Sequence, residues 1–117
     1  MAKNETEKLS RMLGLSARAR MLSVGTDIAC DSVRSGNAKI VMVACDASQN
    51  TKKRAFNCAQ YYETACYEIP IEQNDLGRFV GKKGAVSVLS LNDANMAKGI
   101  TKLLDEMSEA ERDPREV

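Results

Sequence analysis

The sequence predicts an α/β fold in which one sheet of four strands lies between layers of helices. Segments with helical apolar spacing alternate with strand-like segments along the whole chain. The stretch 38–46, AKIVMVACD, is almost continuously apolar, which indicates a central strand covered on both faces. At 117 residues the chain has the length of one domain with a real core; we expect that domain to span 1–107 and a polar tail to follow over 108–117.

The first predicted elements are two helices joined by a short strand. A capping-box-like start and an apolar face predict a helix over 5–18, in which Gly14 indicates a close packing contact or an early end. A short apolar run predicts the first strand over 21–24. Thr26 is expected to cap a short second helix that closes at Gly36.

The elements after the central strand follow the same alternation. Apolar residues at i, i+3, i+4 and i+7 predict a third helix over 50–62, and β-forming residues predict a third strand over 64–69. A short fourth helix is expected to begin at Gln73 or Asn74. The run AVSVLSL predicts the fourth strand over 85–91, and an amphipathic last helix follows it, capped by Asn92 or Asp93.

Composition argues against several classes of function. The chain has no His and no CxxC pair, so we expect no metal site, and its cysteines are interpreted as reduced, mostly buried thiols. These are Cys30, Cys45, Cys58 and Cys66. Without His the chain lacks the commonest general base, and we expect neither catalysis nor a cofactor. No apolar run is long enough to span a bilayer and the polar start has no signal segment, which predicts a cytoplasmic protein.

Local basic clusters are the features that favour nucleic acid, because a net charge of +1 gives no bulk attraction. Lys52, Lys53 and Arg54 fall in the first turn of the third helix, where the helix dipole disfavours cations. This placement indicates either a nearby anion or a solvated face screened by salt.

Two glycine-containing turns are further candidates. Lys82 and Lys83 lie between two glycines, one helical turn after Arg78, so the backbone can approach a bulky ligand while the ammonium groups reach phosphates. Gly25 and Thr26 end the first strand and open a helix, where free N–H groups could meet phosphates. Neither turn has the glycine spacing of a dinucleotide-binding loop.

Five segments together resemble the L7Ae/L30e family of ribosomal and RNA-binding proteins, and most closely its small bacterial members. They are LGLSARAR at 13–20, SVGTD at 23–27, AKIVMVACDAS at 38–48, NTKKR at 50–54 and LGRFVGKKGAVSV at 76–88. The resemblance implies a three-layer α/β/α sandwich with a mixed four-stranded sheet. It also implies non-catalytic, ribosome-associated binding of kink-turn or similarly bent RNA, by a protein that we expect to be monomeric.

In such proteins the bent RNA is held by the helix start after the first strand and by the loop before the last strand. The resemblance and the basic clusters together give an expected RNA interface. Its residues are Gly25, Thr26, Asp27, Ile28, Asp31, Lys52, Lys53, Arg78, Lys82, Lys83, Gly84, Ala85 and Val86.

The first site departs from the family pattern Gly-x-Asn-Glu-x-x-Lys. Asp27, Ile28 and Asp31 stand at the Asn, Glu and Lys positions, and a carboxylate near phosphate is repelled. The alternative hypothesis is therefore a protein-interaction module on the same fold with weakened or lost RNA binding. An enzymatic alternative, with Asp46 as a phosphate acceptor, lacks the clustered carboxylates and further Lys that such sites need.

Overall fold

A computed structural model describes the backbone of residues 2–111 and the side chains of residues 5–108. Within that part of the chain, five helices alternate with four strands. They are α1 (Ala2–Arg18), β1 (Leu22–Val24), α2 (Thr26–Arg34), β2 (Ile40–Ala44), α3 (Gln49–Tyr61), β3 (Ala65–Ile69), α4 (Gln73–Phe79), β4 (Val88–Leu91) and α5 (Ala94–Glu111).

The sheet is mixed and has the strand order β1-β4-β2-β3. β2 and β3 are parallel, whereas β4 is antiparallel to both β1 and β2. As a result β1, β2 and β3 all end at one edge of the sheet, and β4 begins there. We call this the upper edge, and it carries Gly25 and the connections 45–48, 70–72 and 80–87.

Side chains of β2 alternate between two hydrophobic clusters, and every residue of this strand is buried. Ile40, Met42 and Ala44 belong to the cluster formed with α1, α4 and α5. Val41 and Val43 belong to the cluster formed with α2 and α3. Burial on both faces therefore confirms the predicted central strand and the three-layer α/β/α sandwich with its mixed four-stranded sheet.

Two local predictions are wrong. Strand β4 begins at Val88 rather than at residue 85, because residues 82–87 form a loop held by α4. Thr26 is not the cap of α2; Gly25 occupies the N-cap position and no side chain caps this helix. The reason is the strand ladder, which holds the Gly25 backbone in an extended, positive-φ conformation immediately before the first helical residue.

The last helix bears on the predicted boundary between the domain and its tail. Helix α5 continues to Glu111, past the position at which the polar tail is expected to begin. The remainder of that tail, 112–117, lies outside the described residues, so the domain boundary at 107 stays a prediction. No helix within 2–111 combines the length and the apolar character that crossing a membrane requires.

The cysteines are free thiols, as the sequence predicts. The expectation that most of them are buried is wrong, because only Cys30 is buried and the other three are partly buried. Burial raises the pKa of the Cys30 thiol to about 11 and that of Cys66 to about 12, so both are protonated at neutral pH.

Candidate nucleic-acid interface

The two glycine-containing turns lie side by side on the upper edge. The backbone N–H of Gly25 donates to the carbonyl of Val88 at 2.9 Å, which extends the β1–β4 ladder by one bond. The N–H of Ala44 donates to the carbonyl of Ser87 at 2.8 Å. The end of β1, the end of β2 and the loop before β4 are therefore neighbours.

Gly25 adopts a conformation that other residues avoid. Its φ of 112° and ψ of 149° lie in a region that is essentially restricted to glycine. Helix α2 begins at the next residue with no capping side chain, so its first-turn N–H groups are available to an anion at the positive end of the helix dipole.

The carboxylates of α2 are neutralised by arginines. Asp27 forms an exposed ion pair with Arg54 of α3, and this partner raises the pKa of the Arg54 guanidinium. Asp31 pairs with Arg34 at 2.7 Å within α2 itself. The negative charge at the first site is thus paired within the chain, which reduces the repulsion that the sequence predicts toward phosphate.

The basic first turn of α3 has carboxylate partners for two of its three cations. Lys52 lies 3.3 Å from Glu68 of β3, and its side chain is only 18% exposed. Arg54 pairs with Asp27. Lys53 is exposed and has no ion pair with any residue that the structure describes. Of the two alternatives that the sequence leaves open, a nearby anion or a solvated face, Lys52 and Arg54 have the nearby anion, and it is a side chain of the same protein.

The loop over residues 82–87, which we call the double-lysine loop, packs directly on α4. A Cβ atom at Gly77 would lie 1.9 Å from the carbonyl oxygen of Gly84, so only glycine permits this approach. The N–H of Lys82 donates to the carbonyl of Gly77 at 2.8 Å. Lys82 and Lys83 are exposed, and among the described residues neither has a carboxylate within ion-pair distance.

A hydrogen-bonded cluster of Asp46, Gln73 and Ser87 joins the 45–48 and 80–87 connections to the start of α4. The Asp46 carboxylate accepts from the backbone N–H of Gln73 at 2.8 Å, and the Gln73 amide donates to the Asp46 carbonyl at 3.0 Å. The Ser87 hydroxyl donates to the side-chain oxygen of Gln73. The positioning role of this cluster is not apparent in the sequence, because its members are 14 and 27 residues apart.

The other expected interface residues differ in their accessibility. Ile28 is 58% exposed beside the start of α2, and Ala85 is also exposed. Arg78 pairs with Asp75 at 2.8 Å and lies over the Phe79 ring, 5.5 Å from its centroid. The Val86 side chain, in contrast, is 5% exposed and packs in the core.

Fold and upper edge together define a small three-layer α/β/α protein with an uncapped helix start beside an exposed lysine loop. The chain belongs to the Ribosomal protein L7Ae/L30e/S12e/Gadd45 family, whose family model matches residues 7–101. The resemblance drawn from the sequence is confirmed by this match.

Individual relatives are similar over most of their length. The RNA-binding protein YlxQ of Enterococcus faecium is 32% identical over 105 residues, covering 90% of this chain and 99% of that protein. YlxQ of Bacillus subtilis (strain 168) is 35% identical over 94 residues, covering 80% and 92%. Among solved structures, a protein of unknown function from Bacillus halodurans C superposes with a TM-score of 0.78 at 30% identity, covering 84% of this chain and 97% of that one.

Proposed function

We propose that this protein binds structured RNA through the upper edge, without catalysis of its own, and that the RNA is sharply bent, as in a kink-turn. The observation that carries the proposal is the hydrogen bond from Gly25 to Val88, which puts the open start of α2 beside the double-lysine loop. Family membership and the similarity to proteins named as RNA-binding support it.

Two strands of a bent RNA would meet different parts of this edge. The N–H groups at the start of α2 are donors for phosphates or base edges. Lys53, Lys82 and Lys83 supply mobile positive charge for the backbone on either side. The exposed apolar groups of Ile28 and Ala85 belong to the same two segments and are suited to unstacked bases.

The proposal is tested by removing the double-lysine charge. In a gel-shift titration with a kink-turn RNA, Lys82→Ala/Lys83→Ala should weaken binding and lower the salt slope by roughly 1 to 2 units. The matched control is Lys98→Ala/Lys102→Ala, which removes the same charge from α5 beside Lys39, at the opposite edge of the sheet. Equal isotherms for wild type and the Lys82/Lys83 variant would remove this loop from the interface.

We further propose that the protein associates with the ribosome, because the family to which the chain belongs includes ribosomal proteins. Tagged protein should sediment with ribosomal particles in a low-salt sucrose gradient and leave them at high salt. Free sedimentation at every salt concentration would point to an RNA outside the ribosome.

A second candidate function is protein interaction on the same fold. The observation that favours it is the exposed surface of α2, where Ile28 is 58% exposed between the exposed carboxylates of Asp27 and Asp31. Indifference to heparin and RNA at low salt, together with stoichiometric co-purification of one protein, would favour this function over RNA binding.

A further inference from the structure

We propose that a second stretch of RNA backbone binds in a groove between α1 and α4, which we call the arginine groove. It is lined by Arg11, Arg18, Arg78 and Phe79, with Gly14 and Leu15 between the two α1 arginines. The inference rests on the proposed RNA-binding function, and it adds α1 to the interface.

One face of α1 presents both of its groove arginines. Arg11, Gly14, Leu15 and Arg18 are spaced i, i+3, i+4 and i+7, so they share one side of the helix. The two arginines are seven residues apart, which separates their Cα atoms by about 10 Å along the helix axis. Leu15 is 51% exposed between them, so this face of α1 is not part of the core.

Gly14 brings α4 close to this face. A Cβ atom at Gly14 would be 3.4 Å from the carbonyl oxygen of Phe79, so the helix surface and the end of α4 are in contact at this point. The sequence predicts either a packing contact at Gly14 or an early end of the helix; α1 continues to Arg18, and the contact at Gly14 is made at an ordinary van der Waals distance. The contact forms the floor of the groove.

The groove runs toward the double-lysine loop. It consists of two adjoining depressions of about 390 and 250 Å³, which share Gly14, Arg18 and Phe79. The second depression extends to Arg78 and Gly81, the residue that precedes Lys82. A backbone held by Lys82 therefore has a direct path into the groove.

The charges of the groove suit a polyanion. Three arginines line it and none of its lining residues is acidic. Among the described residues, Arg11 and Arg18 form no ion pair, and Arg78 pairs with Asp75 on the exposed surface of α4. Guanidinium groups bind phosphate oxygens through paired N–H donors, and continuity with the lysine loop favours RNA over an acidic peptide.

The test compares two RNA probes with the full-length chain. One is a kink-turn RNA with minimal stems, and the other is the same RNA with one stem extended by about one helical turn. Arg11→Ala/Arg18→Ala should weaken binding of the extended RNA about tenfold and lower its salt slope by about 1.5, as expected for the loss of two phosphate contacts. Binding of the minimal RNA should change less than about twofold.

Three comparisons make the result specific. Lys98→Ala/Lys102→Ala, which removes the same charge at the opposite edge, should bind both probes as wild type does. Arg11→Lys/Arg18→Lys should recover part of the lost affinity, because charge is kept and the paired donors are lost. Arg11→Gln/Arg18→Gln should reproduce the alanine result with better preserved side-chain volume, and circular dichroism verifies that each variant is folded.

The inference is overturned if Arg11→Ala/Arg18→Ala binds the extended RNA like wild type. It is equally overturned if the two substitutions weaken binding of an acidic peptide and leave binding of RNA unchanged. It is also overturned if the Lys98/Lys102 variant loses as much affinity, because the effect would then be one of net charge. Failure of the proposed function looks different, since wild type would bind neither probe. If Lys82→Ala/Lys83→Ala weakens binding of both probes and the arginine variants weaken neither, the function stands and the groove alone is excluded.

Discussion

Substitution of Gly77 by alanine tests how the double-lysine loop is positioned. The added Cβ would meet the Gly84 carbonyl oxygen at 1.9 Å, and contacts under 3.0 Å essentially never occur, so the two atoms must separate by a further 1.1 Å. Two backbone hydrogen bonds join α4 to this loop: Lys82 to Gly77 at 2.8 Å and Val86 to Gln73 at 3.0 Å. A displaced loop weakens both.

The expected cost follows from these contacts. Two weakened hydrogen bonds contribute about 1 to 3 kcal/mol, and forcing the loop outward adds about 1 to 3 kcal/mol. Alanine regains about 1 kcal/mol of helix propensity. We therefore expect Gly77→Ala to lower the free energy of unfolding by about 1 to 5 kcal/mol; the middle of this range corresponds to a fall of about 10 °C in the melting temperature.

Urea unfolding measures the change in stability. A gel shift with kink-turn RNA measures the change in RNA affinity, which we expect to fall at least tenfold. Gly14→Ala is the matched control for the stability measurement, because it also replaces a glycine within a helix but places its Cβ at an ordinary 3.4 Å from the nearest atom. That control should stabilise the protein by up to about 1 kcal/mol. If Gly77→Ala unfolds within about 0.5 kcal/mol of wild type and binds RNA equally, the close approach of α4 to the loop does not exist.

Three further predictions concern the same fold. Gly25→Ala should destabilise the protein by about 1 to 3 kcal/mol in urea unfolding, because φ is 112° and ψ is 149° at this position; Gly25→Asn should be no better, since asparagine tolerates the left-handed helical region but not this one. Asp27→Asn should raise RNA affinity a few-fold, because it removes a negative charge at the start of α2, and Arg54→Ala should lower affinity, because it leaves that charge unpaired. Equal affinities in a gel-shift titration would exclude this pair from the interface. Burial raises the pKa of Cys66 to about 12, so as pH rises this thiol ionises in the unfolded chain before it ionises in the folded one. The free energy of unfolding should therefore fall as pH rises above about 9. Cys66→Ala should reduce that fall in urea titrations at pH 8, 9 and 10.

The order and type of the elements could be predicted from the sequence because they depend on local patterns. The apolar run over 38–46 becomes the buried strand β2, and the predicted third helix and third strand match α3 and β3 within about one residue. The start of β4 could not be predicted, since residues 85–87 have the β propensity of a strand but are held as a loop by bonds to Gln73.

The segments that form the candidate site could be predicted from the sequence, but the ion pairs between their side chains could not. The family resemblance indicates the segments around Gly25 and Lys82, whereas the pairing of Asp27 with Arg54 joins positions 27 residues apart. Lys52 shows the same limit, because its partner Glu68 comes from the next strand. Such contacts depend on strand order, which local periodicity does not encode.

The pairing of β1 with β4 determines at what stage of synthesis the upper edge can form. Val24 is opposite Leu89, and the Gly25 turn is completed by Val88. A polypeptide still being translated has its first strand long before the partner strand leaves the exit tunnel. The proposed RNA interface is therefore complete only after β4 has emerged, so a nascent chain that lacks β4 does not yet present it.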